Sequence, residues 1–181
     1  MSTKILIKIK SRKIKLNYLP LIIIVATFLA LFLIYLFAHD KFYLNLTLSE
    51  PRGIYQKIPF NGILKKGDLV IFQPPQAAKP YLYERKWSRP GTPLLKNVAA
   101  LSGDTYQINE KAIFINEHYL GPIYHYDLQG LPLPKLRGSF TVKAGCFLPL
   151  STYAKNSFDG RYFGEVAIKK ILSKAKLIYK F

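Results

Sequence analysis

Acidic residues are scarce in this sequence: 10 Asp and Glu stand against 27 Lys and Arg, a formal net charge of +17 over 181 residues. A single cysteine, Cys146, excludes an intrachain disulfide. It sits in Gly145-Cys146-Phe147-Leu148, the setting of a small buried apolar residue. The three histidines, His39, His118 and His125, are scattered and lack the spacing of zinc ligands, so no metal site and no cofactor is expected. None has a motif around it that would build a Ser-His-Asp triad. There is no internal repeat and no low-complexity tract. Aromatic residues, in contrast, are plentiful, with 13 Tyr and 12 Phe, enough with the aliphatic residues to build a packed core and to exclude global disorder.

Charge is also missing locally. Leu19 to Ala38 carries none, and at about 1.5 Å per residue this run is as long as a bilayer core is thick. Pro20 stands at its start, where a helix tolerates it, and Tyr35 near its far end. A cleaved signal peptide has a shorter apolar core followed by small residues. This run continues into Phe37-Ala38-His39-Asp40, which favours an uncleaved anchor. Lys4, Lys8, Lys10, Arg12, Lys13 and Lys15 precede it with no acidic residue among them. The expected division is a basic cytoplasmic tail (1–15), a transmembrane anchor (16–39) and an extracytoplasmic domain (40–181). A basic domain on that side of the membrane meets anionic lipid head groups rather than nucleic acid.

Beyond the anchor, turn residues punctuate short β-forming segments about 8–12 residues apart, the pattern of a mostly β domain rather than of βαβ units. Strands are expected at 54–58, 69–73, 94–101, 106–109, 112–115, 140–142 and 146–150, with a last one over 171–181. The stretches 76–93 and 121–137 are expected as irregular excursions, and Asn116-Glu117-His118-Tyr119 as a turn. Together these give a small β-barrel-like core with two long loops.

Thr47-Leu48-Ser49-Glu50-Pro51-Arg52-Gly53-Ile54-Tyr55 follows the apolar run. Ser-x-Pro with a nearby Gly is the chemistry of a turn wherever it occurs, so Ser49 is either a turn residue or a nucleophile. A serine nucleophile needs a base. Lysine serves if burial lowers its proton affinity, and Ser-Lys pairs are a known variant of triad chemistry. Lys96 lies in Pro93-Leu94-Leu95-Lys96-Asn97-Val98-Ala99-Ala100-Leu101, an apolar strand where it is either buried or on the solvated side of a sheet edge. In Asn156-Ser157-Phe158-Asp159-Gly160-Arg161-Tyr162-Phe163-Gly164, Asp159 and Arg161 could brace a turn, and Ser157 could bind a buried amine.

In this order the segments resemble the boxes of type I signal peptidases, membrane-anchored Ser-Lys proteases. The resemblance rests on Ser49-Glu50-Pro51, Gly67-Asp68 with the apolar run to Phe72, Lys96-Asn97-Val98 through Gly103-Asp104, Ile115-Asn116 through Leu120-Gly121, and Asn156 to Gly164. Asn45, Thr47, Ser49, Pro51, Gly53 and Tyr55, with the Arg161-Tyr162-Phe163-Gly164 ending, make it most similar to the TraF-type peptidases of conjugative transfer. Where the family has Asp-Ser-Arg, this chain has Asp159-Gly160-Arg161.

The resemblance implies a single-pass protein of the bacterial inner membrane, its catalytic domain periplasmic. Its fold would be mostly β: one N-terminal transmembrane helix, then a small signal-peptidase-like β-barrel domain with long loops. Ser49 would attack the scissile carbonyl with Lys96 as base, and Thr47 would join the oxyanion hole. Ser157 would orient the lysine, and Asp159 with Arg161 would hold that turn. The implied substrate is an exported precursor, the pilin of a conjugative transfer or type IV secretion system, cleaved or cyclised. Two alternatives stand beside it: a general signal peptidase removing Sec signal peptides, and a non-catalytic scaffold of a secretion apparatus.

Overall fold

The computed structural model describes residues 18–181; the expected basic tail, 1–15, and the first two residues of the expected anchor lie outside the described residues. The described chain divides into an N-terminal helical unit and a unit running from His39 to Phe181.

The first unit is helix α1 (Leu19–Ala38), 20 residues with no buried side chain. It is long and apolar enough to cross a membrane. Its one hydroxyl in mid-span, Thr27 Oγ1, donates to the carbonyl of Ile23 at 2.8 Å, so no unsatisfied polar group faces outward there.

The second unit is mostly β. A seven-stranded antiparallel sheet is assembled from β1 (Phe42–Asn45), β2 (Gly53–Ile58), β3 (Leu69–Phe72), β4 (Leu94–Leu101), β9 (Cys146–Leu150), β10 (Val166–Ala167) and β11 (Ile171–Lys180), in the order β1-β2-β11-β3-β4-β9-β10. The four remaining strands, β5 (Thr105–Ile108), β6 (Ala112–Ile115), β7 (His118–Pro122) and β8 (Gly138–Thr141), form a second sheet in the order β7-β6-β5-β8. The last strand of the chain therefore inserts between β2 and β3. It draws β2 into the large sheet beside β3.

The core lies between and along these sheets. Ala100, Leu148 and Leu150 of the large sheet pack with Tyr106, Ile108, Ile113 and Ile115 of the small one. Val70, Phe72, Val98, Phe147, Val166 and Ile171 form a second cluster, and Tyr55, Ile71 and Leu95 a third. Cys146 is half-buried and packs against the first.

β4 is the strand that matters most. It is flanked by β3 and β9, and Lys96 is paired with Val70. Paired residues share a face of a sheet, so Lys96 points with Val70 toward the second cluster. An edge-strand setting is excluded.

Several local expectations change. The first excursion is partly regular, with a 3-10 turn over Gln76–Ala78 running into α2 (Lys79–Glu84). Pro80 near the start of α2 costs it no needed N–H, which is why a proline-bearing stretch still turns helical. Only Asn116 and Glu117, both at positive φ, make the turn expected at 116–119. His118 and Tyr119 already belong to β7. β10, two residues long, is too short to signal itself in sequence, and β1 was not expected either; β1 is paired along its length with β2.

Candidate active site

Ser49 lies in the connection between β1 and β2, and the connection is organised by Asn45. Asn45 Nδ2 faces three carbonyls: those of Thr47 at 3.2 Å, Glu50 at 3.0 Å and Pro51 at 3.0 Å. Three acceptors on one side fix the orientation of the amide. Its Oδ1 is then turned to Thr47, accepting the backbone N–H at 3.2 Å and the hydroxyl at 2.7 Å. Tyr55 closes the turn from β2, its hydroxyl donating to the Pro51 carbonyl at 2.7 Å. Gly53 is required by packing: a Cβ there would stand 2.1 Å from the Tyr179 carbonyl of β11.

Against this turn comes Lys96. Its Nζ lies 2.5 Å from Ser49 Oγ, donating to it, and the residue is only 3% exposed. Burial pulls the amine down from its ordinary range to about 8, although the carboxylates of Asp159 and Glu50 oppose the change. A half-buried hydroxyl touching such an amine can pass it a proton, because lowering the amine from its ordinary range to about 8 makes its neutral form accessible near neutral pH.

Thr47 Oγ1 is 3.2 Å from Ser49 Oγ, so the structure brings these hydroxyls together. The Thr47 proton, however, is committed to Asn45 Oδ1, and the hydroxyl must rotate before it can donate to an oxyanion. Ser157 is buried and lines the same cleft, but its Oγ has no hydrogen-bond partner. The bond to the lysine amine expected from sequence is not formed here.

Asp159 and Arg161 form a fully buried ion pair at 3.1 Å. Asp159 caps the short helix α3 (Gly160–Phe163), accepting the Arg161 N–H, and also accepts the Ser151 N–H at 2.9 Å. Arg161 Nη2 donates to the Ser151 carbonyl at 2.9 Å, and Nη1 to that of Lys155. The pair reaches the nucleophile through Ser151, whose hydroxyl donates to the Ser49 carbonyl. Gly160 also has a reason: a Cβ would meet the Pro149 carbonyl at 2.7 Å and Leu148 Cδ1 at 2.8 Å. No hydroxyl-bearing side chain fits at that position.

Ser49 and Lys96 open into a cleft of about 780 Å³. The two excursions wall it, through Leu82, Trp87 and Arg89 on one side and Tyr124, Tyr126, Leu128 and Leu133 on the other. No histidine lines it. Among the described residues no three of His, Cys, Asp and Glu come together as metal ligands.

The family model for signal peptidase, peptidase S26, matches residues 13–180. The chain belongs to that family. The S26 chain is 34% identical over 139 residues to the plasmid transfer protein TraF of Escherichia coli, covering 71% of this chain and 77% of that protein. It is 31% identical over 149 residues to the conjugal transfer protein TraF of Agrobacterium fabrum, 76% and 81% of the two. Signal peptidase I of Leptolyngbya laminosa is 30% identical over 128 residues, 68% of this chain and 57% of that protein. A solved signal peptidase I from Enterococcus faecalis V583 aligns with a TM-score of 0.38 at 17% identity, over 65% of this chain and 97% of that one. Family membership gives the S26 chain the role of a serine peptidase, and hence a protein substrate.

Sequence reasoning passed over four participants. Asn45 and Tyr55 fall in the serine box without an evident task, and their hydrogen bonds show the task. Glu50 follows Ser49 directly, but only the fold sets its carboxylate against Asn97; Ser151 carries no motif, and nothing short of the fold brings it to Ser49.

Proposed function

We propose that this protein is a membrane-anchored Ser-Lys endopeptidase that processes an exported precursor, the pilin of a conjugative transfer system. The observation that carries the reading is the 2.5 Å contact between Ser49 Oγ and the buried Lys96 Nζ. Ser49 attacks the scissile carbonyl as Lys96, neutral, takes its proton; Lys96 then returns that proton to the leaving amine. The Ser49 N–H and the rotated Thr47 hydroxyl bind the oxyanion. Ser157, the unpartnered hydroxyl in the same cleft, turns onto the amine when substrate excludes water. Asp159 and Arg161 hold that wall in place. The N-terminus lies in the cytoplasm and the domain beyond His39 on the periplasmic face, on the strength of the basic residues that precede the span. The conjugative assignment is supported by the TraF relatives and by Asn45, Thr47, Pro51, Gly53 and Tyr55 around the serine.

Cleavage of the candidate pilin by wild type, Ser49→Ala and Lys96→Ala tests the dyad. Both variants are expected to be inactive, and near-wild-type turnover by either sinks it. Mass spectrometry of the product separates two fates of the acyl-enzyme. Water gives the trimmed linear chain; attack by the substrate's own N-terminal amine gives a ring lighter by one water.

A further inference from the structure

We propose that Glu50 is a positioning residue for this site: its buried carboxylate, tied to Asn97 beside Lys96, holds the nucleophile turn on β4 and adds its negative charge to that of Asp159 in setting how readily Lys96 gives up its proton. This rests on the Ser-Lys reading of the site.

The geometry is a double contact in register. Two consecutive residues of β4 take two consecutive residues of the turn: Lys96 takes Ser49 at 2.5 Å, and Asn97 Nδ2 donates to Glu50 Oε1 at 3.1 Å. The Glu50 carbonyl is held by Asn45 at 3.0 Å, so backbone and side chain are both fixed. Glu50 is 3% exposed, in a chain with few acids to spare. Among the described residues the other buried carboxylate is Asp159, which has Arg161 as its cation. The hydrogen-bond donor to the Glu50 carboxylate is a neutral amide, Asn97. The cation that acts on it is Lys96. A buried carboxylate without a dedicated cation is destabilising, so as a purely structural tie a glutamine would serve better.

The charged and titratable groups around the pair are few. Lys96 and Asp159 act on Glu50; Asp159, Glu50 and Arg161 act on Lys96. Tyr55, on β2, feels Glu50 and Tyr153, but burial pushes its hydroxyl up to about 12 and it stays neutral. Asp159 is locked to Arg161. Near neutrality the groups that change charge are Glu50, which burial pushes up to about 7, and Lys96, pulled down to about 8. Each ionised form favours the other. With Glu50 anionic, the Lys96 ammonium is retained to higher pH, and the active neutral amine appears later.

The test is Glu50→Gln in the full chain in detergent micelles. The amide keeps an oxygen for Asn97 and removes the charge. The Lys96 side-chain resonance, assigned by its loss in Lys96→Met, is followed by NMR against pH. Its midpoint is expected roughly one pH unit or more below that of wild type. The acid limb of kcat/KM for any precursor peptide the wild type cuts should move the same way. Between about pH 7, where Glu50 ionises, and the wild-type Lys96 midpoint near 8, Glu50→Gln should therefore be the faster enzyme. Glu50→Leu, which also breaks the tie to Asn97, should lose kcat at every pH.

An unmoved or raised Lys96 midpoint in Glu50→Gln overturns the inference. Should that variant fail to fold by circular dichroism, Glu50→Asp, with its carboxylate drawn back, must displace the midpoint downward by less, and no displacement is equally fatal. The NMR readout does not depend on turnover. An active Lys96→Ala would refute the dyad itself, whereas an unmoved resonance beside inactive Ser49→Ala and Lys96→Ala refutes only the role of Glu50.

Discussion

Burying Lys96 carries a stability penalty that depends on pH. Its amine titrates near 8 in the folded chain, below its ordinary 10.5. Below about pH 8 the amine is protonated in both states, and the fold bears the whole penalty of enclosing the cation. Between 8 and 10.5 the folded chain sheds the proton first, so stability rises with pH; above 10.5 the penalty is gone. The displacement corresponds to something on the order of 3 kcal/mol. Lys96→Met should therefore melt at a higher temperature than wild type at pH 7, with the gap closing as pH approaches 10.5. Glu50, deprived of its cation, responds by holding its proton to higher pH, which limits the loss on its side. A melting difference that stays constant with pH would show that the ammonium is not the destabilising group. Lys96→Arg should be inactive at every pH, because a guanidinium cannot give up its proton there; residual turnover would point to another base. At this scale the sequence was informative where a residue type is rare for its setting. A lysine in an apolar strand and a serine in a Pro/Gly turn stand out. Asn45 and Ser151 do not, since their tasks consist of hydrogen bonds to backbone groups that only the folded turn brings within reach.

Arg85 joins the two excursions that wall the cleft. Arg85, just past α2, donates to Asp127 at 2.6 Å and to the Pro132 carbonyl at 2.6 Å, both in the second excursion. Its guanidinium lies 5.0 Å from the ring of Tyr81 and 5.2 Å from that of Trp87. Phe158, in the same box as Ser157, packs on Tyr81, Trp87 and Tyr162. Two excursions and the last box thus make one wall, with Arg85 as its fastening. Arg85→Ala should leave the sheets intact and loosen that wall. Limited proteolysis should then cut within 76–93 and 121–137 at concentrations the wild type resists, and KM should rise more than kcat falls. A fall in kcat alone, with no new cleavage, would place Arg85 elsewhere in the mechanism. Eight of the eleven described strands were readable in the sequence, because alternation and turn residues are local; β1, β7 and β10 were not. The excursions were not, because a helix of six residues and a loop held by Arg85 and the Tyr162 hydroxyl owe their order to tertiary contacts. Gly160 shows the same limit in reverse. In sequence it is only a departure from the family box; the approach of the Pro149 carbonyl gives the missing side chain a reason.

At the scale of the whole molecule, the three core clusters all draw their residues from the unit that begins at His39. None uses α1, which buries none of its own side chains. The unit from His39 therefore holds core clusters of its own, and under the proposed function the contribution of α1 is one of place. Confining enzyme and substrate to one membrane replaces a bimolecular encounter by one at high effective concentration, without any new contact at the site. A chain lacking residues 1–38 should fold with its melting transition unchanged and cleave a soluble precursor peptide as fast as the full chain. On a precursor reconstituted in vesicles it should be slower by on the order of 10²-fold or more. Replacing α1 with an unrelated twenty-residue apolar helix should restore that rate, because only the span is needed. Equal rates for the full and shortened chains on the vesicle-bound precursor would show that anchoring has no part in catalysis. Failure of the unrelated helix to restore the rate would mean that the side chains of α1 recognise the precursor, and that anchoring alone does not account for the helix.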